Sequence, residues 1–331
     1  MKVSIIVAIR NEEKYIENCI ESLLNQSFKG SYEILVIDGM SDDRTLEIVN
    51  YYKKRYPKKI KVFENKDKFV AQGRNIGLKY SKAKYVAYLD GHSYADKDWL
   101  KNLYEFLESK DDKVAGVGSV HFNADKNKLG KAMTVAFSSL IGGGGSSYKP
   151  CKVIKKAYTA PFCLYRKKVL DKIGYYNVKF VKGQDAELNY RIWNKGYVLY
   201  KNPNARTYYY KRESLKKFFR QMFRYGFWRF KLMKKYPKMS GLSNFMPATF
   251  VILLVLGIIF SFFSNIVNIL TLIYVILYLG GIFLFSIIES VKHKKGYYLF
   301  ILPILFIFIH FGFGIGMINS FFKKTDQFIK K

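Results

Sequence analysis

Cysteine is scarce: 331 residues contain only Cys19, Cys151 and Cys163, an odd number without tight spacing. That argues against a disulfide framework or a zinc site and fits a reducing compartment. Acidic residues are also few, 25 Asp and Glu against 56 Lys and Arg, giving a formal charge of +31. From Phe245 onward seven lysines face only Glu289 and Asp326, so +26 of that charge lies before residue 245. A field of this sign draws anionic surfaces, either phospholipid headgroups or nucleic acid. No long apolar run follows Lys2, and no cleavable signal peptide is expected.

Short apolar runs alternating with helical patterns fill the first two thirds. VSIIVAI (Val3–Ile9) is β-rich and continuously apolar, as a buried strand should be. Asn11, Glu12 and Glu13 then open a helix with Ile16, Ile20, Leu23 and Leu24 on one face. YEILVID ends a second strand at Asp38, and Ser41, Asp42 and Asp43 open the next helix. KVFEN is a third strand, AQGRNIGLKYS begins a helix, and AKYVAYLD is a fourth strand ending at Asp90. The alternation predicts an α/β fold with a mostly parallel, doubly wound sheet and flanking helices. Such sheets bind ligands at the carboxyl ends of their strands, where Asp38 and Asp90 sit.

Beyond a helix near 99–108 come the strand GVGSVHF, a loop over Gly142–Gly145 with Ser146 and Ser147, and the helix-like QDAELNYRIWNKG. That loop reads either as a mobile lid or as a plain connection. Residues 201–238 hold thirteen Lys or Arg and one acid, Glu213, interleaved with aromatics. Leu215, Phe218, Phe219, Met222, Gly226, Phe230 and Met233 fall on one helical face, which predicts a basic amphipathic helix lying on a membrane surface. Residues 245–263, 266–288 and 297–322 are long and apolar enough to span a bilayer. Positive-inside counting puts the polar domain and loop 291–295 on the cytoplasmic face. Three spans then place the tail, with Lys323, Lys324, Lys330 and Lys331, on the other side, against the same rule, so its side stays open. Pro303 with Gly312, Gly314 and Gly316 offers the last span a bend or a re-entry, and His310 there is expected to bond a neighbouring helix. The expected domains are 1–212, a helix and linker over 213–243, and a membrane region over 244–331.

SIIVAIRNEE, EILVIDGMSDDRT, GRNIGL, YVAYLDGH and FVKGQDAELNYRI occur in that order. Together they resemble the inverting glycosyltransferase family 2, with its GT-A fold, over residues 3–201. SLKKFFRQMFRYGFWR and the spans are similar to the succinoglycan-biosynthesis branch, whose members extend lipid-linked saccharides. The resemblance implies a nucleoside pocket edged by Ala8, Arg10 and Glu12, with Asp38 accepting from the base and Asp43 nearby. Asp38 and Asp43 also suit helix caps, and Glu12 a solvated loop.

Arg74 and Asn75 open a helix, where the dipole disfavours an arginine; a donor diphosphate would offset that cost. Charge grows on the leaving diphosphate as the glycosidic bond breaks, and a divalent cation there acts as a Lewis acid. Asp90 and His92, separated by glycine, are positioned to hold such an ion. The family usually shows Asp-x-Asp, and imidazole in place of a carboxylate shifts preference from Mg²⁺ toward Mn²⁺. The alternative for His92 is a turn residue bonded to backbone. Asp185 is the expected general base on the acceptor side, in a single inverting displacement. Its neighbour Gln184 replaces the first acid of the family's pair, and Gln184, Asp185 and Glu187 equally suit a cap. Gln221, Arg224 and Tyr225 resemble the Q-x-x-R-W element of processive polysaccharide synthases, where it lies beside acceptor and diphosphate, except that tyrosine replaces tryptophan; an interfacial helix explains them as well. The run Tyr208–Tyr210 reads as packing.

The leading expectation is a multi-pass, metal-dependent hexosyltransferase with its catalytic domain on the cytoplasmic face of the cell membrane. It moves a sugar from a nucleotide-diphosphate sugar, UDP-linked by preference, to a polyprenyl-linked saccharide, with anionic lipids as partners and oligomeric state open. Transfer to polyprenyl phosphate itself, or processive synthesis, is the alternative; a catalytically silent nucleotide-binding module is a further one. The apolar segments argue against a nucleic-acid partner.

Overall fold

In the computed structural model, which describes residues 1–124, 127–143, 151–210 and 214–323, the apolar runs form strands where their pattern places them. The chain begins β1 (Val3–Ile9), α1 (Ile16–Leu24), β2 (Tyr32–Asp38), α2 (Thr45–Arg55), β3 (Ile60–Glu64), α3 (Val70–Tyr80) and β4 (Tyr85–Asp90). It continues through β5 (Ser93–Ala95), α4 (Trp99–Glu108), β6 (Val114–Asn123), α5 (Lys128–Ser138), α6 (Leu140–Gly143), β7 (Lys155–Lys156) and β8 (Leu164–Arg166). Last come α7 (Lys167–Ile173), α8 (Gln184–Asn194), β9 (Val198–Tyr209), α9 (Leu215–Lys235), α10 (Leu242–Ser261), α11 (Asn265–His293) and α12 (Tyr298–Phe322). These elements form two compact units, residues 1–124 with 147–210, and 125–146 with 211–331.

The first unit is built on one sheet of order β3-β2-β1-β4-β8-β6-β9-β5, with β7 on β9. β3, β2, β1 and β4 run parallel; β8 is antiparallel to β4 and β6, and β9 is parallel to β6. β1 sends Val3, Ile5 and Val7 into a cluster with Ile16, Ile20 and Leu23 of α1 and Trp99 of α4. Its Ile6 points the other way, toward Leu78 of α3 and Leu188 and Ile192 of α8. Both faces are covered, which is why the strand carries no polar alternation. Register sets Asp38 opposite Ile9 and Asp90 opposite Ala8, so both acids reach the same edge. The strand order turns back between β1 and β4, the place where such sheets open a crevice.

Two helices begin later than the polar residues suggest. Asn11, with φ +56°, does not enter α1. Its side-chain amide donates to Asp42 Oδ1 (2.6 Å) and accepts from the Asp42 N–H (3.1 Å), so the two loops are tied together instead.

The second unit is helical. α5 and α6 belong here, although they fall within the domain expected over 1–212, because α5 buries Ala132, Met133 and Ala136 among Phe218, Met222, Leu302 and Phe306. α9 forms as its periodicity predicts, but its apolar face is not left for a lipid surface: Phe218, Met222, Gly226, Phe227 and Met233 are buried. Glycines explain the close packing: a Cβ on Gly226 would meet the Phe313 carbonyl, and one on Gly316 the Phe223 carbonyl. Gly314 sits likewise against Pro247 of α10. α12 is accordingly one continuous helix, Tyr298–Phe322, through Pro303 and all three glycines. α10, α11 and α12, with mean hydropathy 2.2, 2.4 and 2.3, are long and apolar enough to cross a membrane. His310 bonds its neighbours as expected, Tyr278 Oη at 3.1 Å and the Ile141 carbonyl at 2.9 Å.

Candidate functional site

Three charged side chains meet at the carboxyl edge of β4. Gly73 lets α3 approach β1: a Cβ there would lie 3.1 Å from the Ala8 Cβ. The next residue, Arg74, is thereby brought over the sheet edge. Its Nη2 donates to Asp90 Oδ1 at 3.1 Å, and its Nη1 donates to Asp185 Oδ1. The guanidinium carbon lies 5.4 Å from the Tyr88 ring centre and 5.2 Å from that of Tyr176, within cation–π range. Tyr88 and Asp90 are two apart on β4 and share a face.

Exposure grades across this triad. The Arg74 side chain is 7% exposed, Asp90 28% and Asp185 54%. Burial pushes the Asp90 carboxyl up, but Arg74 and then His92 outweigh it and hold it below the usual carboxylate range. Burial likewise works against the Arg74 cation, while Asp185 and Asp90 keep it charged. Asp185 stands in the first turn of α8, after Gly183 at φ +76°, a conformation that favours glycine. Gln184 beside it is buried, and Glu187 is fully buried and paired with Arg191 (2.9 Å), so Asp185 alone of this group faces outward.

His92 has a partner the sequence did not announce. Gly91 leaves room for Glu12, whose Cγ would lie 3.1 Å from a Cβ at that position. Glu12 Oε1 accepts a hydrogen bond from His92 Nδ1 at 2.7 Å. An ionised carboxylate only accepts, so Nδ1 carries the proton of this bond, and the pairing fixes the orientation of the ring, as in carboxylate–histidine–metal arrangements. The His92 ring also packs edge-on against Tyr209 (4.8 Å). Among the described residues no three His, Cys, Asp or Glu side chains gather around one point. Asp90 and His92 are the side chains here whose donor types could hold an ion, and two protein ligands leave its other positions to phosphate oxygens or water.

The remaining expected residues divide. Asp38 is 2% exposed, and its two oxygens accept from the Ser41 hydroxyl (2.5 Å) and the Ser41 N–H (3.1 Å). Asp43 accepts from the Thr45 N–H (2.9 Å) and the Glu13 N–H (3.3 Å), just ahead of α2, whose N-cap is Arg44. Asn75 turns from the expected nucleotide to the chain: its amide donates to the Tyr176 carbonyl (2.8 Å) and accepts from the Tyr176 N–H (2.9 Å). Arg10 is exposed and Ala8 half-buried at the β1 edge. Gln221, Arg224 and Tyr225 lie on α9 in the second unit, where Gln221 Nε2 donates to Tyr225 Oη (2.8 Å) and Arg224 is exposed. The expected lid falls largely on residues 144–147, outside the described residues. Tyr208 and Tyr210 pack, stacking on Tyr94 and Tyr15.

A family model described as "Glycosyl transferase family 2" matches residues 4–174. A Methanococcus voltae protein is 31% identical over 97% of this chain and 99% of its own length. It is named a dolichyl N-acetyl-alpha-D-glucosaminyl phosphate 3-beta-D-2,3-diacetamido-2,3-dideoxy-beta-D-glucuronosyltransferase. A succinoglycan biosynthesis protein of Rhizobium meliloti (strain 1021) is 28% identical over 73% of each chain. Among solved structures, a mannosyltransferase from Pyrobaculum calidifontis in complex with GDP-Man and Mn²⁺ superimposes with TM-score 0.54 at 17% identity. The match covers 72% of this chain and 65% of that one. The sheet order and this likeness give the fold as GT-A, a mostly parallel sheet between helices.

Proposed function

The chain belongs to glycosyl transferase family 2, and from that premise we propose that it transfers a sugar from a nucleotide-diphosphate sugar to a saccharide on a polyprenyl-type carrier at a membrane. The observation that carries the reading is the single guanidinium, Arg74, bonded to both Asp90 and Asp185. It ties the carboxylate expected beside the donor diphosphate to the carboxylate expected to act as base.

In this reaction an acceptor hydroxyl attacks the anomeric carbon. The new C–O bond forms as the bond to the diphosphate oxygen breaks, the nucleotide leaves with the bonding pair, and the hydroxyl proton passes to Asp185. Attack from the face opposite the leaving group inverts the anomeric centre. Asp185 suits the base because it is half exposed, within reach of an incoming hydroxyl, yet tethered by Arg74. A divalent cation at Asp90 and His92 would supply Lewis-acid neutralisation of the departing diphosphate, and the imidazole favours Mn²⁺ over Mg²⁺. Asp38, at the edge of the same crevice, would face the nucleoside through the loop that Ser41 braces.

The carrier-linked acceptor draws support from the name of the Methanococcus voltae relative and from the three apolar helices. The basic stretch Lys292–Lys295 and the lysine-rich α9 support an anionic, cytoplasm-facing leaflet as the setting. The test is a panel of UDP- and GDP-sugars offered to the detergent-solubilised full chain, with polyprenyl phosphate or polyprenyl-linked saccharides as acceptors. The expected result is product from a lipid-linked saccharide, of inverted configuration, abolished by a chelator and restored better by Mn²⁺ than by Mg²⁺. Nucleotide binding without transfer from any donor would instead leave a silent module.

A further inference from the structure

We propose that Arg74 is a positioning residue that fixes the base against the donor-side carboxylate, and not a ligand of the donor's phosphates. The inference rests on the glycosyl-transfer reading of this site. It departs from what the place of Arg74 in GRNIGL suggests, and three observations carry it.

The fork is already engaged, since Nη2 and Nη1 each meet a different carboxylate. A planar guanidinium bonds two acceptors at a fixed separation, which a lysine ammonium does not. The side chain is also walled in: it is 7% exposed, with the Tyr88 and Tyr176 rings beside it. Tyr176 in turn is pinned through both atoms of the Asn75 amide, and Gly73 seats the same turn of α3 on Ala8. Swinging Arg74 out to a phosphate would break both ion pairs and leave two acids of like charge facing each other. The third observation is the exposure of Asp185. At 54% exposed in the first turn of α8, it is ion-paired with Arg74. Without that tether the carboxylate is free to take other rotamers, and a misplacement of about 1 Å costs on the order of 10² in rate.

The test uses the full chain in detergent with Arg74→Lys and Arg74→Ala, measuring kcat, donor KM and UDP affinity by calorimetry. Arg74→Ala should lower kcat about 10²-fold or more, with UDP affinity held within about threefold, and added guanidinium should restore part of kcat. Arg74→Lys should lose most of the same rate, because one ammonium cannot bridge both acids. A large loss of UDP affinity with kcat retained would make Arg74 a phosphate ligand and overturn the proposal, as would unchanged kinetics. A melting cycle with Arg74→Lys, Asp185→Asn and the double variant needs no turnover. Shifts that fall short of additive are expected; strictly additive shifts would overturn the placement. Should the wild type transfer no sugar at all, the functional reading fails while this cycle still reports on the tether.

Discussion

Asp38 and Asp43 lie in one loop, and each carboxylate is turned onto neighbouring backbone. Asp90 and Asp185 instead converge on a side chain far away in sequence. Four acids of one type thus have two kinds of partner, whereas the sequence grouped Asp38, Asp43 and Asp90 together and set only Asp185 apart. For Asp43, burial raises the carboxyl pKa, but hydrogen bonds from Thr45 and Glu13 outweigh that and leave it below the ordinary value. A depressed folded value means the stabilisation is complete above the unfolded value of about 3.9 and is lost as pH falls through the folded one. Asp43→Ala should therefore cost about 1 kcal/mol at neutral pH, as loss of an acceptor for backbone N–H groups does, and the gap to wild type should begin to narrow only below about pH 4 and be smaller at pH 3. Denaturant titrations at pH 7 and pH 3 measure both. Glu12 shows why some partners were illegible: its bond to His92 spans 80 residues and exists because Gly91 leaves space. Arg74 was legible as a misfit in a helix, but its compensating acids were not, because they come from β4 and α8.

At the level of elements, periodicity found the apolar face of α9 correctly and its covering wrongly. The same stripe of Phe218, Met222 and Met233 suits lipid or another helix, and hydropathy does not distinguish them. Gly312, Gly314 and Gly316 were the available signal, since small residues let helix backbones approach. Gly226→Leu should consequently destabilise the second unit by about 1–3 kcal/mol or more, because the added carbons overpack a filled contact. Arg220→Ala on the exposed side of the same helix should change stability by no more than about 0.5 kcal/mol. Melting in detergent compares the two; equal melting temperatures would remove the close α9–α12 contact. The strands were read well because continuous apolar runs leave little alternative, while the starts of α1 and α2 slipped because Asn11 and Asp42 bond each other.

Across the whole chain, the parallel sheet and the three apolar helices were legible, but the border was not. α5 and α6 follow β6 in sequence and yet join the helical unit, because α5 buries Ala132 and Met133 there. No local composition marks such a return. What the chain as a whole is proposed to do, nucleotide-sugar chemistry on an acceptor carried by lipid, depends on Asp185 taking the acceptor's proton. Sugar transfer from the active donor to the lipid-linked saccharide by Asp185→Asn, measured beside donor affinity, tests this most directly. The account predicts a loss on the order of 10³ in turnover with donor binding unchanged; turnover near wild type in that variant would contradict it.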